Sequence, residues 1–383
     1  MDLTPTAEQQ DLIALARDFA RREIAPHVAD YDREERFPVE IVAKAAALGL
    51  MGGVVPEEHG GAGLDHKTYA MVVEEISRVC HVVGVAMTLP SGLVGNSILS
   101  FGTEEQKQRY LAPLARGEAF GAAGVTEARS GTDVSDMDTS CRKDGGDYVI
   151  NGAKMWISFL DVARWFLTFA HLGVDERTGR KRICAFIVDR DLPGVDVRPL
   201  ENKFGFRPIK TGELVLDGVR VPADALVGEE GRGFAVAMNA VESGRLGVAT
   251  RAVGLGQACV DAMVDYARDR VVFQQPIARF QMVQKMIADS MTSVEAARLL
   301  VLRLADLRDR GERARAAASM AKMYASDAAM QAAVNAFEIH GAYGVSEEYP
   351  VGRYLRDAKI FQIVEGNNEL HRALISESAV GFR

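Results

Sequence analysis

Apolar residues in the first hundred positions recur at the period of an α-helix. Leu12, Leu15 and Phe19 are three or four residues apart, so they fall on one helical face. The pattern predicts an N-terminal helical region whose later helices cover residues 39–50, 66–99 and 106–115, with Pro90 and Gly92 weakening the second of these. Two pairs with capping-box spacing mark helix starts: Thr6 with Gln9, and Thr103 with Gln106.

The period changes near Gly117, where short β-rich runs separated by turn signals begin, and these continue to about Leu226. Asn151-Gly152 is typical of the turn that joins two strands of a hairpin. The pattern predicts a small β-barrel or sandwich. Its expected strands include residues 148–150, 165–169, 183–188, 195–197 and 213–216.

After Gly231 the helical period returns in four long amphipathic stretches, residues 234–268, 276–308, 313–343 and 352–380. Long helices joined by short links predict an antiparallel four-helix bundle. We therefore expect an α+β fold in three domains. These are an N-terminal α-helical domain (1–117), a middle β domain (118–230) and a C-terminal α-helical bundle (231–383).

Composition narrows the classes of protein that this pattern allows. The 383 residues are 48% hydrophobic and 26% charged, as in a globular protein, and a net charge of −8 without a basic block argues against nucleic-acid binding. No apolar run is long enough to span a membrane, and the N-terminus lacks the pattern of a targeting signal. Scattered cysteines and histidines without ligand spacing predict no metal site and a cytoplasmic protein.

Glu365 is the first candidate for chemistry, because Gly366 and two asparagines follow it within the last predicted helix. Glycine and asparagine weaken a helix and favour turns, so this carboxylate can stand on a turn and face a ligand. A carboxylate after an apolar run is more often part of a solvated helix face. These residues alone leave both interpretations open.

Other segments are ambiguous when each is taken alone. The turn 124–133 can present backbone N–H groups and hydroxyls to an anion or a polar ring edge, or be a plain β-turn. Trp156 and Ser158 share a strand face that suits a flat heterocycle, although a strand tryptophan is more often in the core. Arg270 by itself is a surface arginine, and residues 337–344 can be a simple helix C-cap.

Taken together, in this order and spacing, the segments resemble the acyl-CoA dehydrogenase family from the first helix to the last. The most specific pieces are Val125-Thr126-Glu127 with Gly131-Thr132-Asp133, the run 154–158, Tyr266-Ala with Arg270, Phe273 and Gln281, and the segment 348–366 that ends in Val364-Glu365-Gly366. Each piece is weak alone, and their common register makes the resemblance specific.

The resemblance implies an FAD between the middle domain and the bundle, with its adenosine half reaching a neighbouring subunit. The 123–132 turn would hold the flavin edge, Trp156 would pack on the ring, and Ser158 would donate to flavin N5. Arg270, Gln281 and residues 338–342 would contact the pyrophosphate and adenosine end. The implied cofactor-binding residues are Val125, Thr126, Gly131, Thr132, Trp156, Ile157, Ser158, Arg270, Phe273, Gln281, Glu338, Ile339, Gly341, Ala342 and Asn367.

The resemblance also implies a reaction. Glu365 would be the general base that removes the α-proton of an acyl-CoA while the β-hydrogen leaves as hydride to flavin N5, giving the trans-2-enoyl-CoA. Water exclusion around Glu365 would raise its pKa towards the value needed. The expected partners are an electron-transferring flavoprotein and further copies of the chain in a homotetramer. The implied substrate-binding residues are Thr132, Glu242, Arg245, Val364 and Gly366.

Several positions depart from the family pattern. Gly244 stands where a subset of the family carries its base, so Glu365 would act alone, and Gly84 argues against a dicarboxylic substrate held by an arginine at that position. Val364 replaces a common tyrosine, from which we predict a branched, cyclic or bulky acyl group. Arg129 is either a solvated side chain or an anion site, and Asn367 and Glu338 replace a usual threonine and glutamine.

Three alternatives remain beside the acyl-CoA dehydrogenase. The first is a dehydrogenase of the same fold that acts on an acyl group tethered to an acyl carrier protein. The second is a flavin oxidase or monooxygenase, which Glu365 argues against because such members lack this base. The third is a non-catalytic assembly protein.

Overall fold

The computed structural model describes residues 4–381. Residues 1–3 and 382–383, the outer ends of the first and third predicted domains, lie outside the described residues. Among those described, no helix combines the length and apolar character that crossing a membrane requires. Seven helices lead the chain into the middle region: α1 (Ala7–Phe19), α2 (Val28–Arg33), α3 (Val39–Ala47), α4 (His66–Thr88), α5 (Gly95–Phe101), α6 (Glu104–Gln106) and α7 (Ala112–Ala115).

Helix starts in this region follow the local sequence. The Thr6 hydroxyl accepts from Gln9 N at 3.2 Å and Gln9 Oε1 accepts from Thr6 N at 3.0 Å, which confirms the predicted capping box. The helix predicted over residues 66–99 is wrong in one respect, because it is two helices, α4 and α5, separated at Leu89–Val94. Pro90 lies in that break and has no N–H to continue the helical ladder.

The middle region is a single sheet of eight strands. They are β1 (Phe120–Gly124), β2 (Ser140–Asp144), β3 (Asp147–Ser158), β4 (Ala163–Val174), β5 (Lys181–Asp189), β6 (Val195–Leu200), β7 (Thr211–Pro222) and β8 (Leu226–Val227). Their order is β6-β7-β3-β2-β4-β5-β8, and β1 pairs with β4 in parallel. Inward side chains of β1 to β5 and β7 form one hydrophobic cluster, so the sheet folds around its own core.

The C-terminal region is helical apart from the short hairpin of β9 (Val271–Val272) and β10 (Gln275–Pro276). Its helices are α8 (Gly233–Asp269), α9 (Gln281–Asp309), α10 (Arg315–His340), α11 (Val351–Phe361) and α12 (Asn368–Val380). The fourth predicted stretch, 352–380, is therefore two helices and not one. The turn between α11 and α12 carries Glu365. Helix α8 packs against α10 in the bundle and also against α4 of the N-terminal region.

Asp357 of α11 joins the three regions. Its carboxylate accepts from the Phe206 N–H of the middle region at 2.8 Å and lies 2.9 Å from His81 Nε2 of α4. All three side chains meet beside Phe361, where the His81, Phe206 and Phe361 rings contact one another. The start of the Glu365 turn is thus fixed relative to both α4 and the sheet.

Candidate active site

Glu365 lies on a turn whose backbone is unfavourable for an ordinary residue. Its φ is +56° and that of Gly366 is +93°, so two successive residues are left-handed. A non-glycine residue in this region costs about 1–2 kcal/mol, and such a conformation persists only where its surroundings enforce it. Asn367 then starts α12 as its N-cap, since its side chain accepts from Leu370 N at 2.9 Å.

Lys322 of α10 supplies part of that enforcement. Its fully buried ammonium donates to the Gly366 carbonyl at 2.7 Å and to Asn368 Oδ1 at 2.9 Å. Asn368 Nδ2 donates in turn to Asp327 Oδ1 at 2.7 Å. These bonds tie the turn to α10 from behind and leave the Glu365 side chain on the other side. The sequence analysis missed Lys322, although its place among the buried alanines of α10 marks it as a lysine in the core.

The Glu365 carboxylate faces α8. A Cβ built on Gly244 would lie 2.6 Å from Glu365 Oε1, so any larger residue here would have to displace the carboxylate. Burial raises the pKa of Glu365 to about 7, although the positive charges of Arg251, Arg245 and Lys322 oppose the rise. A carboxyl with this pKa exchanges protons near neutral pH and can act as a general base there.

A cavity of about 90 Å³ adjoins the carboxylate. Helix α4 and the 89–93 segment form one wall, and α8 forms the other. The wall residues are Val54, His66, Tyr69, Ala70, Val73, Val85, Thr88, Leu89, Ser91, Gly92, Leu93, Ser243, Gly244, Leu246, Gly247, Thr250, Arg251, Arg308 and Glu365. The space is mostly apolar, with a titratable carboxylate at its wall.

The predicted substrate residues fall in different places. Arg245 is buried one residue from Gly244, its Nη1 is 3.5 Å from Ser319 Oγ, and its Nε has no hydrogen-bond partner among the described residues. Glu242 is half-buried and 3.6 Å from Arg315 Nε. Val364 packs against the bundle core and is absent from the cavity wall. Thr132 is exposed on the turn of the middle region.

A buried ion pair organises that turn. Lys154 Nζ of β3 lies 2.6 Å from Glu127 Oε1, and Glu127 also accepts from Thr139 N at 3.0 Å. Hydrogen bonds from Lys154 and from the Thr139 and Asp138 backbone outweigh burial and keep the pKa of Glu127 below its usual value. Val125 and Thr126 lie at the base of the turn, where Met155 N donates to the Thr126 carbonyl at 2.8 Å. The sequence analysis named the motifs that contain Glu127 and Lys154, but it did not predict the ion pair between them.

Trp156 is the most unusual residue of β3. The φ angle of Trp156 is +61°, and 61% of the residue is exposed. The register of β3 with β7 shifts between Lys154 and Ile157. Ile157 points into the core while Ser158 is exposed like Trp156. The predicted common face of Trp156 and Ser158 is therefore present, and it presents a bare aromatic surface beside a hydroxyl.

Most of the other predicted cofactor residues lie in a second, largely exposed group on the bundle. Arg270 ends α8 with its guanidinium carbon 5.2 Å from the centre of the Tyr343 ring, and Phe273, 86% exposed, stands at the hairpin tip. Gln281 is the first residue of α9. At the end of α10, Ile339 is buried, whereas Glu338, Gly341 and Ala342 are exposed.

These two groups offer different kinds of ligand contact. Ser158 is exposed two residues from the exposed Trp156, and Met155 N donates to the Thr126 carbonyl, so this part of the sheet offers an aromatic surface and hydroxyls that suit a flat heterocycle with polar edges. Arg270 has no carboxylate within ion-pair distance among residues 4–381, so its guanidinium is available to a phosphate. The donor set thus matches a ring at the sheet and a phosphate at the bundle.

Comparison with known proteins gives one family throughout. The models "Acyl-CoA dehydrogenase, N-terminal domain", "middle domain" and "C-terminal domain" match residues 6–118, 122–219 and 231–380. The chain is 43% identical over 376 residues to an acyl-CoA dehydrogenase of Bacillus subtilis, covering 98% of this chain and 99% of the relative. It is 39% identical over 376 residues to a short-chain specific acyl-CoA dehydrogenase of Clostridium acetobutylicum, with 98% and 99% covered.

Solved structures agree over the same length. Butyryl-CoA dehydrogenase from Megasphaera elsdenii is 38% identical with a TM-score of 0.93, covering 99% of this chain and 100% of that one. A chain in a structure of the electron transferring flavoprotein of Acidaminococcus fermentans is 39% identical, with a TM-score of 0.95 and the same coverage. A glutaryl-CoA dehydrogenase from Mycobacterium smegmatis in complex with FADH2 is 27% identical, with a TM-score of 0.90 and 99% and 97% covered.

Proposed function

This chain belongs to the acyl-CoA dehydrogenase family and is a flavin-dependent acyl-CoA dehydrogenase, and we propose that Glu365 is its general base. The observation that carries the proposal is the position of the Glu365 carboxylate, against Gly244 at the wall of an apolar cavity, with its pKa raised to about 7 by burial. A base with this pKa is matched to proton removal at neutral pH.

Several residues have distinct roles in the proposed reaction. Glu365 takes the α-proton of the acyl thioester, and Lys322 holds the turn at the Gly366 carbonyl so that the carboxylate keeps its direction. When bound, the flavin accepts the hydride that leaves the β-carbon. Arg245, buried beside Gly244, would lie near the acyl-CoA, and its charge opposes the rise in the pKa of Glu365. The apolar walls of α4 and α8 exclude water from this carboxylate.

FAD is the flavin that the two exposed groups suit. The turn 125–132 and Trp156, Ile157 and Ser158 would hold the ring, while Arg270, Phe273, Gln281 and the 338–342 segment would hold the pyrophosphate and adenosine of an FAD shared with a neighbouring subunit. Asn367 would act through the turn, because its side chain already caps α12. Glu338 is exposed, which leaves its carboxylate free to turn away from a phosphate.

A homotetramer would cover the bundle surface. Large apolar residues of α9, α10 and the β9–β10 hairpin are exposed in the single chain, among them Phe273 at 86%, Met282 at 66% and Met291 at 52%. Exposed apolar patches of this kind mark interfaces. The electrons that the flavin gains pass to an electron-transferring flavoprotein.

The cavity favours a short acyl group. A volume of about 90 Å³ is small for a binding pocket, since an apolar cavity that holds benzene measures about 150 Å³. The 89–93 segment and Gly244 define its size, whereas Val364 packs elsewhere. The bulky acyl group expected from Val364 stays a prediction. It would be tested by comparing butyryl-CoA with branched and cyclic acyl-CoAs.

The decisive experiment is anaerobic mixing of the purified holoenzyme with a panel of acyl-CoAs, followed at the flavin absorbance. We expect the flavin to bleach in the wild type and to stay oxidised in Glu365→Gln, which should retain its FAD. Bleaching by Glu365→Gln at the wild-type rate would remove Glu365 from the role of base. No bleaching of the wild type by any acyl-CoA would contradict the proposed function itself.

A further inference from the structure

Arg251 of α8 is a buried arginine that lines the same cavity as Glu365. Only 6% of the residue is exposed, and its Nε donates to the Gly247 carbonyl one turn earlier at 2.9 Å. This bond folds the side chain back along α8 in the direction of Gly244. The guanidinium therefore lies along the cavity wall that also carries Glu365.

The guanidinium has donors that the protein does not use. Arginine carries five N–H groups. Among residues 4–381, only the Nε–H of Arg251 has a hydrogen-bond partner, and no carboxylate lies within 4.0 Å of the guanidinium. Neighbouring donors in the wall are satisfied. Thr88 donates to Gly84 O, Thr250 to Leu246 O, Tyr69 to Met87 O and Arg308 to Glu242 O.

An unpaired buried charge is expensive, because removal from water costs several kcal/mol that only a close counter-charge returns. Burial accordingly lowers the pKa of Arg251 to about 10, and the more distant Glu365 carboxylate opposes that shift only in part. An arginine that faces a cavity at this cost has the features of a group that binds an anionic ligand.

Helix α4 leaves room for the arginine stem. A Cβ on Gly84 would lie 3.3 Å from Arg251 Cγ and 2.3 Å from Ser77 Oγ, so a larger residue would press on both. The backbone of α4 is also irregular at Cys80, with φ −150° and ψ 101°. The stem is thus held between two helices. Its guanidinium carbon lies 6.0 Å from the centre of the Phe361 ring, and the guanidinium also lines the cavity.

We infer that the acyl group of the substrate ends in a carboxylate and that Arg251 binds this carboxylate at the far end of the acyl cavity. The inference rests on the proposed function, in which Glu365 takes the α-proton of the same acyl group. Arg251 is two helical turns beyond Gly244, or about 10 Å, and its side chain returns by about one turn. That separation and the small cavity suit a short dicarboxylic acyl group of about four or five carbons.

The test compares acyl-CoAs of equal carbon number in the wild-type holoenzyme and in Arg251→Met. We expect kcat/KM to be higher for glutaryl-CoA than for pentanoyl-CoA in the wild type. The comparison is made at about pH 9, because loss of the Arg251 charge also raises the pKa of Glu365 and the base must be ionised in every variant. Arg251→Met should then lose about 100- to 1000-fold on glutaryl-CoA, because it removes one partner of a buried charge pair, while pentanoyl-CoA loses little. Arg251→Lys, which keeps the charge without the two-pronged guanidinium, should fall between them.

Binding provides a second readout that needs no turnover. The 3-thia analogues of the two acyl groups cannot lose a β-hydride, so their dissociation constants can be measured by calorimetry on the oxidised holoenzyme. Arg251→Met should weaken only the carboxylated analogue. Arg308→Gln is the matched control, since Arg308 also lines the cavity but its guanidinium already donates to two α8 carbonyls, and it should affect both analogues alike.

The outcomes separate the two proposals. Flavin bleaching by pentanoyl- or butyryl-CoA, with slower or no bleaching by succinyl-, glutaryl- and adipyl-CoA, would overturn the role of Arg251 and leave the dehydrogenase intact. Equal losses on both substrates in Arg251→Met would do the same. If Arg251→Met does not fold, two wild-type measurements still test the role of Arg251. These are the ratio of kcat/KM for glutaryl-CoA to that for pentanoyl-CoA and the dissociation constants of the two 3-thia analogues.

Discussion

Gly244 and Glu365 touch so closely that a Cβ on the glycine would lie 2.6 Å from the carboxylate oxygen Oε1 and 2.8 Å from Cδ. Helix α8 therefore acts as a wall behind the proposed base. Lys322 holds the other side of the same turn through the Gly366 carbonyl. Gly244 and Lys322 thus limit the directions that the Glu365 carboxylate can take. Proton transfer from a bound substrate needs a base in a fixed orientation.

Gly244→Ala should lower kcat by tenfold or more, since a misplaced reacting group costs about 100-fold in rate for about 1 Å. The added methyl group must displace the carboxylate, because neither α8 nor the turn can move freely. FAD content and the thermal midpoint should change little, and a stopped-flow measurement of flavin reduction would report the loss. Gly247→Ala, in the same helix and cavity wall but away from Glu365, is the matched comparison. Equal rates for Gly244→Ala and the wild type would show that the contact has no role.

The fold was largely predictable where its cause is local. Both capping boxes form as expected, and the change of period near Gly117 and Gly231 marks the change from helix to strand and back. The helix expected over 352–380 was wrong because its amphipathic pattern runs through the turn, where Gly366 is the only strong breaker. Gly366 and the N-cap Asn367 permit the turn, and the bond from Lys322 to the Gly366 carbonyl, which no local pattern contains, holds it.

The candidate site was predictable only through motifs. Glu365, Trp156 and Arg270 belong to recognisable sequence motifs. Lys322 and Arg251 look like ordinary helical cations in the sequence, because the residues that they contact or face are far away in the chain. Burial is what makes them different, and burial follows from how α4, α8 and α10 pack. Val364, the sequence neighbour of the base, packs against the bundle core, and its predicted effect on the choice of acyl group stays a prediction.

The pH profile of kcat/KM should report the protonation of Glu365. Its pKa of about 7 means that the base is protonated in acid, so kcat/KM should fall tenfold per unit below about pH 7 and level off above it. Lys322→Met removes a cation that lowers this pKa, so the midpoint should move to higher pH. Lys285→Met, an exposed lysine paired with Asp289, should leave the midpoint unchanged. A midpoint that moves to lower pH in Lys322→Met would contradict this electrostatic account.

The free energy of unfolding should also depend on the ionisation of Glu365. It should fall with rising pH, whereas an ordinary carboxylate with a lowered pKa makes it rise. The folded pKa of about 7 lies above the unfolded value of 4.5, so the wild type loses stability as the pH rises from about 4.5 to about 7. Glu365→Gln avoids this ionisation and should be the more stable protein at pH 8, by at most about 3 kcal/mol. The difference in unfolding free energy should shrink at pH 5. An advantage for the wild type that grows with pH would refute the raised pKa.

The Lys154–Glu127 pair offers a test of how the flavin side is built. Lys154→Met leaves the Glu127 carboxylate buried without its cation, which should cost about 3–5 kcal/mol in unfolding free energy. The turn 125–132 should loosen at the same time, so the protein should purify with less FAD, measured by the ratio of flavin to protein absorbance. Arg129→Gln is the control on the same turn, because its pairs with Asp136 and Asp138 are exposed and worth less than about 1 kcal/mol. If Lys154→Met keeps both its stability and its flavin, the buried pair does not organise this site.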